Sequence, residues 1–179
     1  MPEATDDGAR AVLFDLDGTF ADTAADMAAA LNALLRRHGR PPLPPDSARP
    51  HVSSGSRGML AVGFGLTPAD TDYDALRGEY LDIYARDICR HTRLFPGMSE
   101  LVATLDARGV AWGIVTNKPG WLTEPLLTAM DLDPRPACVV SGDTVACAKP
   151  YPDPLLHACE LIGQAPGACW YVGDDQRDI

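Results

Sequence analysis

Two carboxylates, Asp15 and Asp17, stand one residue apart where the apolar run Ala11-Val12-Leu13-Phe14 ends, and Gly18-Thr19 follow at once. In an extended chain alternate side chains share a face, so this spacing aims both carboxylates at one site while Leu16 turns toward packing. Gly18 lets the chain turn sharply just beyond them. An apolar run without alternation reads as a strand buried on both faces of a parallel sheet, and such sheets bind ligands beyond the carboxyl ends of their strands. The pair therefore reads as an active site of two cooperating carboxylates. A calcium loop does not fit, because an EF-hand needs glycine at its sixth position after a helix, whereas here glycine is fourth after a β-run.

Three further strand-like runs also end in polar signatures. Val110 to Val115 leads into Thr116-Asn117-Lys118-Pro119, and Cys138-Val139-Val140 precedes the loop containing Ala148-Lys149-Pro150. Cys169-Trp170-Tyr171-Val172 leads into Gly173-Asp174-Asp175-Gln176-Arg177-Asp178. Helical patterns fall between these runs, around Ser99 to Arg108, Leu122 to Met130, and Pro154 to Ile162. Alternation of strands and helices predicts a doubly wound, Rossmann-like α/β parallel sheet, with four strand ends converging on one rim.

The segment between the first strand and the Trp112 strand is far longer than an ordinary crossover, so something is inserted there. It has helical spacing: Met27, Leu31, Leu34 and Leu35 within Ala24 to His38, then Leu76, Tyr80, Leu81 and Tyr84 within Tyr73 to Ile88. Pro41-Pro42-Leu43-Pro44-Pro45 cannot be helical and reads as a stiff connector. In Val52-Ser53-Ser54-Gly55-Ser56-Arg57-Gly58, Ser53 or Ser54 is positioned to cap a following helix, and Arg57 to reach a substrate carboxylate or sugar acid. His51 and His91 cluster with no other ligand type and read as incidental.

The four ordered signatures, Asp15-x-Asp17-Gly18-Thr19, Thr116-Asn117, Lys149-Pro150 and Gly173-Asp174-Asp175, resemble the haloacid-dehalogenase superfamily of aspartate-nucleophile phosphohydrolases. The insert resembles that superfamily's α-helical cap. The resemblance implies a core of residues 1–20 and 95–179, with a cap of residues 21–94. It implies Asp15 as the nucleophile that forms an aspartyl-phosphate and Asp17 as acid and then base. Magnesium is the implied cofactor, held by the Asp15 carboxylate, the Asp17 backbone carbonyl and Asp174, with Asp175 and Asp178 as supporting acidic groups. Thr116 and Asn117 would bond phosphoryl oxygens, and Lys149 would supply charge in the transition state. Relatives that dehalogenate lack the second aspartate, so Asp17 favours phosphoryl transfer. Phe20 stands where the superfamily usually has leucine, a departure expected to affect packing alone.

The Trp112 to Pro119 and Tyr171 to Ile179 runs resemble bacterial phosphoglycolate phosphatases and the sibling N-acetylmuramic acid 6-phosphate phosphatases. Both substrates join a phosphate to a carboxylate. The leading expectation is hydrolysis of 2-phosphoglycolate, with the amino-sugar ester as alternative. A sugar phosphomutase shares the motifs, and an impaired fragment is a further alternative. Family members usually continue beyond the fourth motif through a helix and an edge strand, so with Ile179 as the last residue both are expected to be missing, at a cost to activity and stability.

The bulk composition fits these expectations. Fifteen basic against twenty-five acidic residues give the 179-residue chain a formal charge of −10. That opposes nonspecific binding to nucleic acid or anionic membrane and points to small-molecule partners, with an anionic substrate needing a local cation or metal. Cys89, Cys138, Cys147, Cys159 and Cys169 contain no Cys-x-x-Cys pair, against a zinc site or disulfide frame. The N-terminus, with Glu3, Asp6 and Asp7, has no export-signal character, and no apolar run approaches membrane-spanning length, so a soluble cytoplasmic protein is expected. Nothing in the sequence fixes an oligomeric state.

Overall fold

The computed structural model describes residues 8–178, so the reading of Glu3, Asp6 and Asp7 falls outside the described residues. The chain enters β1 (Ala11–Phe14), turns through Gly18, and forms the two-residue strand β2 (Ala21–Asp22). Four helices follow: α1 (Ala24–Arg37), α2 (Pro45–Ala48), α3 (Gly55–Phe64) and α4 (Tyr73–Arg86). The chain returns through β3 (Arg93–Leu94), which pairs antiparallel with β2. Helices and strands then alternate: α5 (Met98–Ala107), β4 (Ala111–Val115), α6 (Gly120–Met130), β5 (Cys138–Val140), α7 (Asp153–Ile162) and β6 (Cys169–Val172).

Strands β5, β4, β1 and β6 form one parallel sheet in that order. Period-two alternation sends Val12, Phe14, Trp112 and Ile114 to one face, where they meet Val102 of α5 and Leu122 and Leu126 of α6. Leu13, Val115 and Val140 go to the other face, against Ala158 and Cys159 of α7. Helices thus cover both faces, which is why the strands read as continuous apolar runs. Phe20 is fully buried and stacks on Trp112 at 5.2 Å between ring centres, extending the core beneath the turn that carries the two carboxylates.

The insert is helical. Met27, Leu31, Leu34 and Leu35 of α1 line one face and pack with Met59 and Leu60 of α3 and Tyr80 of α4. Two side chains hold its connections. Asn32 on α1 clamps Leu43 through both backbone groups, at 3.0 and 2.8 Å. The buried Asp26 carboxylate accepts the His91 and Thr92 amides and the Thr92 hydroxyl, fixing the approach to β3.

Several expectations need correction. Pro45 is helical: it opens α2, where a missing N–H is no loss, while the prolines before it stay outside a helix. Ser54 precedes α3 but makes no side-chain cap bond, since at φ −78° and ψ 1° it lacks the extended backbone a cap residue uses. Ser53 caps nothing either, because its hydroxyl is bonded to Asp174. The β2–β3 ribbon was not foreseen, two-residue strands being too short to show a period. Among the described residues, no helix is long and apolar enough to cross a membrane.

Candidate active site

Asp15 follows the last residue of β1, and its amide donates to the Val172 carbonyl at 2.9 Å, so the sheet itself positions it. The Asp15 side chain is buried, and its Oδ1 lies 2.9 Å from Lys149 Nζ. Burial pushes the Asp15 carboxyl up to about 6, against the opposing pull of Lys149. Lys149 Nζ also donates to Asp178 Oδ1 at 2.8 Å, Tyr171 Oη at 2.6 Å and the Val115 carbonyl at 3.1 Å. Burial would raise the Asp178 carboxyl, but Lys149, the Asp175 amide and Tyr171 hold it below its ordinary value. Lys149 therefore sits in a saturated cage, far from the freedom of a surface lysine.

Asn117 aligns that cage. Its side-chain amide donates to the Lys149 carbonyl at 2.9 Å and accepts the Lys149 amide at 3.0 Å. The Thr116 amide bonds the Val140 carbonyl at 2.9 Å, fixing it at the junction of β4 and β5, and its hydroxyl accepts the Lys118 amide at 3.1 Å. Both residues line the cavity above the strand ends.

Asp17 is buried beside Asp15 but has its own partners. Thr23 donates to its Oδ1 at 2.7 Å, and Lys118 Nζ lies 3.0 Å from its Oδ2. Lys118 is itself buried, 4.7 Å from the centre of the Tyr84 ring and 3.3 Å from its hydroxyl. The Asp17 carboxylate is thus oriented by β4's loop on one side and by the start of α1 on the other.

Three carboxylates, Asp15, Asp174 and Asp178, bring one oxygen each within 4.8 Å of the others. Thr19 donates to Asp174 Oδ1 at 2.8 Å and Ser53 to its Oδ2 at 2.5 Å, so a residue of the insert reaches across to the loop after β6. Gly18, at φ 91°, passes so close that an added Cβ would stand 2.6 Å from Asp174 Oδ2. The adjoining loop is fastened by Arg177, whose Nε lies 2.6 Å from Asp175 Oδ1 and whose guanidinium also bonds the Ser53 carbonyl. The bond from Arg177 holds the Asp175 carboxyl below its ordinary value. An all-oxygen donor set with clustered negative charge suits a hard divalent cation.

The rim opens into a cavity of about 260 Å³ between the strand ends and the insert. Asp15, Asp17, Thr116, Asn117, Lys149 and Arg57 all line it, as do Asp175 and Asp178. Asp174 stands beside it through its bond to Ser53. The sequence reading gave no role in the site to Lys118, Arg177, Ser53 or Arg77, which also line the cavity. Lys118 had a signal, since it lies inside the Thr116-Asn117-Lys118-Pro119 strand-end loop. Arg77 had none, since a charged residue among Leu76, Tyr80 and Leu81 reads as a helix's solvated face. The Arg177–Ser53 contact joins positions too remote in sequence to leave any.

The chain matches the family model of haloacid dehalogenase-like hydrolases over residues 12–179. It belongs to that family. It is 42% identical over 170 residues to an N-acetylmuramic acid 6-phosphate phosphatase from Pseudomonas putida, covering 95% of this chain and 76% of that protein. It is 46% identical over 170 residues to a phosphoglycolate phosphatase from Xanthomonas campestris pv. campestris, with the same two shares. Among solved structures it is similar to a predicted phosphoglycolate phosphatase from Haemophilus somnus, with a TM-score of 0.81, 25% identity, and coverage of 98% of this chain and 81% of that one.

Proposed function

We propose that the protein hydrolyses phosphomonoesters of small metabolites bearing a carboxylate, yielding the alcohol and inorganic phosphate from ester and water. One observation carries this reading. Asp15 presents a buried carboxylate to the cavity, paired with Lys149 and next to Asp17, at the carboxyl end of a parallel strand. In the first step an Asp15 oxygen bonds phosphorus as the ester P–O bond breaks, and Asp17 gives its proton to the departing alkoxide. In the second, Asp17 takes a proton from water, the water oxygen bonds phosphorus, and the Asp15–phosphorus bond breaks.

The remaining residues orient and balance charge. Lys149 places a cation beside the attacking oxygen, and the Thr116 hydroxyl serves as a donor to phosphoryl oxygens. Asn117 acts by positioning Lys149, because both ends of its amide are engaged with the Lys149 backbone. Asp178 anchors Lys149, and Asp175 with Arg177 fixes the loop that carries Asp174. Asp15, Asp174 and Asp178, with the Asp17 backbone carbonyl, would hold magnesium. When bound, magnesium supplies positive charge between the two anions that must meet. Asp178 is thereby promoted from a supporting group to a candidate ligand. Residues 21–94 are proposed to act as a cap, hinged at the β2–β3 ribbon, that closes over the core of residues 1–20 and 95–179 and excludes water.

For the ester, 2-phosphoglycolate is the first candidate, supported by the relatives that carry that name. N-acetylmuramic acid 6-phosphate is the second, favoured by a cavity wall of Tyr73 and Leu81 that a two-carbon ester would leave uncovered. The test is phosphate release from each ester in magnesium and in EDTA, with Asp15→Asn alongside. Metal-dependent release lost in Asp15→Asn supports the reading. Release that persists in Asp15→Asn, or an isomeric sugar phosphate as product, overturns it.

A further inference from the structure

Among the described residues, five cationic side chains line the cavity: Arg57, Arg77, Lys118, Lys149 and Arg177. Three are matched by carboxylates. Lys149 is 2.9 Å from Asp15, Lys118 is 3.0 Å from Asp17, and Arg177 is 2.6 Å from Asp175. Arg57 and Arg77 pair with no carboxylate among the described residues, although the chain as a whole carries a formal charge of −10. Both lie on the insert's side of the cavity, Arg57 on α3 and Arg77 on α4.

Their surroundings are ordered. The Arg77 Nε donates to Ser56 Oγ at 3.2 Å, so the residue before Arg57 ties the two helices together at this point. On α4, Tyr73, Arg77 and Leu81 follow at four-residue spacing and share one face, which lines the cavity. An apolar wall with two unopposed guanidinium groups is built for an anionic group carried on an organic spacer.

We infer that Arg57 and Arg77 bind the carboxylate of the substrate while the strand-end residues hold its phosphate, so that Arg77 is a determinant of specificity. The inference rests on the phosphomonoesterase reading and names what that site selects: esters that carry a carboxylate besides their phosphate, over related esters without one. Arg57 alone was visible as a candidate in the sequence. Arg77 completes a pair.

Two pairs of substrates test for the carboxylate. 2-Phosphoglycolate and ethyl phosphate differ by that group at the two-carbon scale. N-acetylmuramic acid 6-phosphate and N-acetylglucosamine 6-phosphate differ by the lactyl acid at the sugar scale. The wild-type protein is expected to prefer the acid in at least one pair by tenfold or more in kcat/KM. Arg77→Ala and Arg57→Ala each reduce that preference about tenfold, mainly through KM, and Arg77→Lys retains more of it than Arg77→Ala. An equal kcat/KM for acid and neutral ester in both pairs, or a preference unchanged in both alanine variants, overturns the inference while the neutral esters still report phosphatase activity. Release of phosphate from none of the four esters by the wild type defeats the phosphomonoesterase reading and the inference with it.

Discussion

The two ends of the cavity treat charge in opposite ways. At the strand ends every cation has a carboxylate within hydrogen-bonding distance, and Lys149 has two. At the insert's end Arg57 and Arg77 have none among the described residues. A buried end must neutralise its charges internally, because unpaired charge out of water costs several kcal/mol. An exposed end can leave cations to solvent until a ligand arrives. On the proposed function, the buried half is preorganised for chemistry that any phosphate ester shares, and the exposed half would discriminate among esters.

The contrast is broken most severely at Lys149. Lys149→Ala would strand Asp15 and Asp178 without their common cation, and it is expected to abolish turnover and to destabilise the fold by about 3–5 kcal/mol, read by urea denaturation. Asp15→Asn separates chemistry from stability. Turnover is expected to fall by at least about a thousandfold, as for loss of a covalent nucleophile. Stability in EDTA at neutral pH is expected to rise. The Asp15 carboxyl is raised from 3.8 to about 6, so the folded protein binds its proton more tightly than the unfolded chain does. That contribution favours the fold below about pH 4 and is lost as pH rises through about 6, a difference on the order of 3 kcal/mol. Thermal melts of the metal-free wild type should show this loss, and Asp15→Asn should not.

Smaller effects sharpen the same boundary. Lys118→Met removes the partner of Asp17 but leaves Thr23 in place, and kcat is expected to fall about a hundredfold in steady-state assays, within the range for general acid–base catalysis. Asn117→Ala frees the Lys149 backbone while keeping its charge, for an expected loss of about tenfold in kcat. Asp22→Asn breaks the solvent-exposed pair with Arg49 and is expected to cost less than about 1 kcal/mol by urea denaturation, because water and salt screen it.

The core sheet and its rim were legible because apolar strands and polar strand ends contrast sharply along the chain. Asp15, Asp17, Thr116, Asn117 and Lys149 each follow directly on a strand or lie in the loop after one, and the topology brings all of them to one cavity. Contacts across long separations left no local trace. Ser53 bonding Asp174 and Arg177 bonding Ser53 depend on how the insert lies over the sheet, and Ser53 looked like a helix cap because serine before a helix usually is one. Asn117 was read as a ligand-facing amide, but its two hydrogen-bonding groups matched a neighbouring backbone, as those of Asn32 match Leu43. Arg77 was hidden by its helix, where a charged residue between apolar ones reads as the solvated face.

The most direct measurement is to stop a reaction of the magnesium-loaded protein with 2-phosphoglycolate or N-acetylmuramic acid 6-phosphate in acid during turnover, reduce it with borohydride, and sequence the peptide around the first strand by mass spectrometry. Borohydride converts a phosphorylated aspartate to homoserine, so the position of the change names the nucleophile. Homoserine at position 15, absent without substrate, is the expected result. Homoserine at position 17, or an unmodified peptide during active turnover, would contradict the assignment of Asp15 as the group that attacks phosphorus.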